Sequence, residues 1–126
     1  MVRWWGAVIL IAWPLALFAQ TTPELQEVRV ELGRVEALLD RAHFREAGEK
    51  ALALRSQALA LPPSSEARGL VIRTELAAGT AALALGQEGF ARECLRRALA
   101  MDPRLELEAS APPKLQRTFD AVKGGR

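Results

Sequence analysis

Tyrosine is absent from this chain, and histidine and cysteine occur once each, as His43 and Cys94. The tryptophans, Trp4, Trp5 and Trp13, all lie ahead of Gln20, so Phe44, Phe90 and Phe119 are the only aromatic residues beyond that point. These scarcities exclude whole classes of chemistry. A catalytic triad would have to be built around His43, at a predicted helix junction with Asp40 and Glu46 as neighbours. Carboxylates beside a histidine are common on solvated turns, and no catalytic role is assigned to it. A metal centre needs several converging His, Cys or carboxylate ligands, whereas His43 and Cys94 fall in different predicted hairpins. A lone cysteine closes no internal disulfide, and Cys94 is read as a small apolar residue on a helix. The run Gly86-Gln87-Glu88-Gly89 lacks the lysine and the preceding strand that turn a glycine-rich loop into a phosphate cradle. Ser56, Ser64, Ser65 and Ser110 stand in no recognisable nucleophile context. The expectation is a chain that is not an enzyme, with no catalytic residue, no metal and no cofactor.

An excess of one charge is also missing. The formal charge is +2, and Arg3 supplies one unit of it. A groove for phosphates needs clustered Lys and Arg interleaved with stacking aromatics, and neither occurs, so nucleic acid is excluded as a partner.

What is present begins at the first residue. Met1-Val2-Arg3 is a short basic start, Trp4 to Phe18 is uncharged and almost wholly apolar, and the small Ala19 precedes the polar Gln20-Thr21-Thr22-Pro23-Glu24. That order of basic, apolar and small-residue segments is the layout of a secretory signal, assigned to residues 1–19. Spanning a bilayer takes ~20 apolar residues, and this run is shorter and holds Pro14, which favours cleavage. Leu17, larger than the small residue preferred three positions before the cut, keeps an uncleaved inner-membrane anchor as the alternative. No cysteine stands at the cleavage site to receive a lipid. The expected destination is export, to a periplasmic or secreted location, with membrane contact only through the N-terminal segment if it is retained.

Cleavage leaves about 107 residues, one small domain, dominated by Ala and Leu and without an alternating Val, Ile and Thr run that reads as a strand. The class is all-α. Thr22-Pro23 opens a first helix, because the threonine can accept a bond from a free backbone N–H and proline fits the first helical position. Leu25, Val28, Leu32, Val35 and Leu39 then recur at intervals of three and four, gathering into one stripe. The rhythm returns in Phe44, Ala47, Ala51, Leu54, Ala58 and Leu61, stopped by Pro62-Pro63, with Arg45, Glu46, Glu49 and Lys50 on a solvated opposite face. Ser64-Ser65 caps a third helix from about Glu66 to Leu85. From Leu76 onward it is apolar nearly all round, so it must be covered on more than one side and is read as the central helix. A fourth runs from about Glu88 to Met101 with Ala91, Cys94, Leu95 and Ala98 inward, ended by Pro103. A fifth, roughly Pro113 to Val122, presents Leu115, Phe119 and Val122, leaving Gly124-Gly125-Arg126 to fray.

Gly79, Gly86, Ala91, Ala98 and Pro103 are separated by six, four, six and four residues, a spacing that resembles the tetratricopeptide repeat. In that family the small residues admit a close helix pair, the glycine turns the chain, the later alanine makes room for the next repeat and the proline stops the second helix. The chain departs from the pattern at Glu75, where a bulky aromatic is usual, at Ala82, where a large residue is usual, and at Glu88, with Phe90 displaced by two. The first hairpin fits only at Phe44 and Ala47. Ala47 and Ala91 are forty-four residues apart, against ~34 per repeat. The ending, Asp102-Pro103 followed by a proline-led helix, is similar to that of exported bacterial proteins of this kind.

The resemblance implies two antiparallel helical hairpins in a right-handed stack over residues 20–111, with a capping helix and tail over 112–126. It also implies that the first helix of each hairpin lines a concave face, which places Arg29, Glu36, Arg73 and Thr80 as the partner-binding residues. Two hairpins fall short of the ~3 repeats that make such a stack stable alone, so self-association or another envelope protein is the expected partner. The expected role is an adaptor or scaffold of the bacterial cell envelope, the alternative being an anchored structural component that keeps its leader.

Overall fold

The computed structural model describes residues 22–125. The signal segment assigned to residues 1–19 lies outside them. The described residues form helices α1 (Pro23–Asp40), α2 (Phe44–Leu59), α3 (Ser65–Ala84), α4 (Glu88–Met101) and α5 (Pro113–Gly124), with no strand among them. Local chemistry sets the starts. The Leu25 N–H donates to Thr22 Oγ1 at 3.1 Å with Pro23 first in the helix, and the Ala67 N–H donates to Ser64 Oγ at 2.9 Å. The second helix ends at Leu59, ahead of Pro62, yet Leu61 stays buried beyond it. Gly124 is helical rather than frayed.

Helix α3 touches every other helix. Through Ala67, Leu70, Val71, Ala77 and Ala78 it joins Leu25, Val28, Leu32 and Val35 of α1 and Ala47, Ala51, Leu54 and Ala58 of α2 in one core. Its C-terminal half, through Ala82 and Leu83, shares a second core with Ala91, Leu95 and Leu99 of α4 and Leu115, Phe119 and Val122 of α5. From Leu76 to Ala84 the helix is apolar nearly all round because it is flanked by both cores, whereas Glu66, Arg68 and Arg73 mark the edge that faces water. Alanines dominate it because four neighbouring helices leave no room for larger side chains. At Gly79 an added Cβ would stand 3.5 Å from Cys94 Cβ and 3.6 Å from the Ala91 carbonyl oxygen, ordinary contact distances. The α3–α4 approach at Gly79 leaves an added Cβ in ordinary contact with α4. The terminal helix covers Leu83 and Leu99 and packs against Leu76, while Ile72, itself buried, borders a groove.

Both hairpins turn in the same way. After α1, the Ala42 N–H donates to the Leu39 carbonyl at 3.0 Å and the His43 N–H to that of Leu38 at 2.9 Å. After α3, the Gly86 N–H donates to the Leu83 carbonyl at 3.1 Å and the Gln87 N–H to that of Ala82 at 2.8 Å. This pair of bonds needs one residue in the left-handed region, filled by Ala42 at φ 61° and Gly86 at φ 78°. The turn positions are thus offset by the same interval as Ala47 and Ala91, so the two hairpins repeat each other in backbone geometry as well as in packing alanines. A side chain in that region costs roughly 1–2 kcal/mol, partly offset in glycine by chain entropy. Urea denaturation should show Gly86→Ala destabilised by about 1 kcal/mol, Ala42→Gly stabilised by about 0.5 kcal/mol and Gly79→Ala near neutral. Equal losses at Gly79 and Gly86 would contradict the geometry.

Candidate functional site

Where α1 and α3 run together, their exposed sides are joined by ion pairs. Arg73 of α3 donates to Glu36 of α1 at 2.6 and 3.3 Å, and Arg29 of α1 to Glu66 of α3 at 2.7 Å. All four side chains are 40–53% exposed, and pairs so well solvated contribute about 0–1 kcal/mol. Three of the four residues expected to contact a partner, Arg29, Glu36 and Arg73, are therefore engaged within the chain, at little energetic cost to exchange. The fourth, Thr80, donates its hydroxyl to the Leu76 carbonyl one turn back, at 2.8 Å.

Glu36, Arg73 and Thr80 line one groove of about 560 Å³, whereas Arg29 lies outside it. Its floor is apolar: half-buried Leu39 and Leu76, the Phe44 side chain at the start of α2, and Ile72. The far wall is the connector between α4 and α5, which the sequence presents only as a link. Along residues 105–108, Leu105 and Leu107 are half-buried against the second core while Glu106 and Glu108 are exposed, so alternate side chains divide between core and solvent. Lys123 of α5 donates to the Leu105 carbonyl at 3.2 Å, and the Arg104 N–H donates to Asp102 Oδ1 at 3.1 Å. These bonds hold the connector against the domain so that it forms a wall. The alternation Leu105-Glu106-Leu107-Glu108 was the signal available in the sequence.

A second cluster is internal. Glu75 is 2% exposed, and its Oε1 accepts from Arg55 Nη2 at 2.6 Å. The same Arg55 nitrogen lies 3.5 Å from Cys94 Sγ, and the guanidinium stands 5.8 Å from the centre of the Phe90 ring. Arg55 Nε is buried and has no hydrogen-bond partner. The cluster pins α2, α3 and α4 together where a repeat of the resembled family would place a large aromatic. Burial pushes the Cys94 thiol above its ordinary value, the Glu75 carboxylate adds to the rise, and Arg55 and Arg97 oppose it. The thiol is therefore protonated at neutral pH, and a protonated thiol is a poor nucleophile. Glu75 stands out in the sequence as a departure from the tetratricopeptide spacing, whereas Arg55 is marked only weakly. Its position four residues after Ala51, on the buried stripe of α2, is the clue.

His43 is exposed at the α1–α2 junction, and its side chain makes no capping bond to α2. Among the described residues no group of three or more His, Cys, Asp or Glu side chains is placed to hold a metal ion. Of the residues assigned to packing, Ala91 and Ala98 are fully buried, Gly79 lies against α4, Gly86 makes the left-handed turn and Pro103 follows the end of α4. Comparison with protein-family models, with curated proteins and with solved structures finds no match to this chain.

Removing one member of a buried ion pair strands the other charge, while replacing both with apolar groups of similar volume is often neutral or better. Glu75→Ala should lower the unfolding free energy by about 3 kcal/mol. The double variant Arg55→Met with Glu75→Leu should return to within about 1 kcal/mol of the parent. Chemical denaturation of the three proteins checks this, and a double variant at least as destabilised as Glu75→Ala would show that the two charges are uncoupled.

Proposed function

We propose that this chain is an exported protein–protein interaction module, a TPR-like adaptor or scaffold of the bacterial cell envelope that holds another envelope protein in the groove between α1, α3 and the connector. The apolar floor of Leu39, Phe44, Ile72 and Leu76 carries the reading. Of these Leu39, Phe44 and Leu76 are only half-buried, and between walls of helix and tethered connector they offer a partner a place to remove further area from water, at about 25 cal/mol per Å². Helical modules commonly recognise partners through such a groove. The internally repeated hairpin turns support the TPR-like element of the reading, and the leader supports export. Among the described residues no helix is long and apolar enough to cross a membrane, so membrane attachment would fall to the N-terminal segment.

The test is photo-cross-linking in the host, with the full-length gene expressed under its own leader. A cross-linking residue replacing Thr80 inside the groove should yield one discrete adduct with an envelope protein. The same residue at exposed Ala53 of α2, outside the groove, should yield none. No discrete adduct from Thr80, or the same pattern from both positions, would contradict the proposal.

A further inference from the structure

We infer that the groove selects a partner segment combining apolar anchors with lysine or arginine, and rejects acidic segments. The inference rests on the interaction reading above and adds the chemistry of the occupant. Four carboxylates line the groove, Glu36, Asp40, Glu106 and Glu108, against the single guanidinium of Arg73. Arg73 is spent on Glu36. Asp40, Glu106 and Glu108 are exposed and form no ion pair among the described residues, so the rim carries uncompensated negative charge above an apolar floor. The chain as a whole is formally +2, so this negative field is a local arrangement and not the by-product of an acidic protein. Rim charges of one sign steer and select partners of the other sign, more than they add to affinity.

The alternation along the connector places the two halves of the recognition side by side. Leu105 and Leu107 turn into the domain and Glu106 and Glu108 out of it. A segment lying along this wall meets carboxylates at its solvent edge while its apolar side chains enter between Leu39, Leu76 and Leu115. A cation there keeps its partial hydration and gains a carboxylate, whereas a glutamate at the same place meets like charge with only the already paired Arg73 to offset it.

The probes are two synthetic peptides of equal length and identical apolar pattern, one carrying leucine with lysine and the other leucine with glutamate. They are titrated into the isotopically labelled protein, expressed with its leader and purified in the form the host produces. The leucine–lysine peptide should shift the backbone signals of Thr80, Glu106 and Leu107 and bind roughly tenfold more tightly than its acidic counterpart. Added salt should narrow the gap. The variant Glu106→Lys with Glu108→Lys, which alters only exposed side chains, should lose or invert the preference. Thr80→Trp, which fills the groove, should weaken both peptides, with circular dichroism reporting that each variant is folded. Equal binding of the two peptides, no binding of either, shifts elsewhere on the molecule, or a preference indifferent to the charge reversal would overturn the inference. So would a concentration-dependent dimer abolished by Thr80→Trp, which would make the occupant a second copy of the chain. A discrete adduct from Thr80 in the host together with peptides that bind alike would leave the interaction reading standing and remove only the charge rule.

Discussion

The burial of α3 between two cores, with only an edge that includes Glu66, Arg68 and Arg73 left to solvent, is the constraint from which the rest of the structure follows. This 20-residue helix contributes to both cores, so the α1–α2 hairpin on one side and the α4–α5 unit on the other are joined through one set of small side chains. A helix in that position cannot carry a one-sided stripe. Where it passes between both cores it has to be apolar nearly all round, and where its neighbours crowd it, its residues have to be small. The alanines from Ala77 to Ala82, with Gly79 among them, meet that requirement.

A charge inside such a helix is tolerated only with a partner, and Glu75 finds one in Arg55 across the α2–α3 contact. The pair links the two hairpins by direction as well as by area, because the short charge-assisted bond from Arg55 Nη2 to Glu75 Oε1 forms only over a narrow range of helix registers. Small apolar side chains slide past one another with less penalty. Holding α2, α3 and α4 in one register also fixes how α1 lies along α3, and hence the width of the groove between that pair and the connector. The positioning of the proposed docking surface therefore depends on contacts well removed from it.

Helix positions and inward stripes were legible in the sequence because they depend on local periodicity, caps and helix-ending residues. Thr22, Ser64, Gly86 and the residues of each stripe act within a turn or two of themselves. The all-apolar character of the third helix also announced its central place. What could not be read was tertiary: the Arg55–Glu75 pair joins residues twenty positions apart, and the pairing of Arg73 with Glu36 and of Arg29 with Glu66 depends on how α1 and α3 align. Arg29, Glu36, Arg73 and Thr80, which the resemblance places on a binding face, are exposed or half-buried, but a resemblance cannot tell a free side chain from one already occupied by a neighbour. The connector was missed because a segment without periodicity becomes a wall only through the bonds that tether it, such as that of Lys123 to the Leu105 carbonyl.

Native-state hydrogen exchange tests the central place of α3 most directly, since it reads the opening free energy of each helix separately. Amides in the middle of α3, from Leu70 to Leu83, should exchange last and only through global unfolding, after the outer helices α1 and α5 have opened in smaller steps. Protection retained in the α1–α2 hairpin after α3 has exchanged would contradict the account.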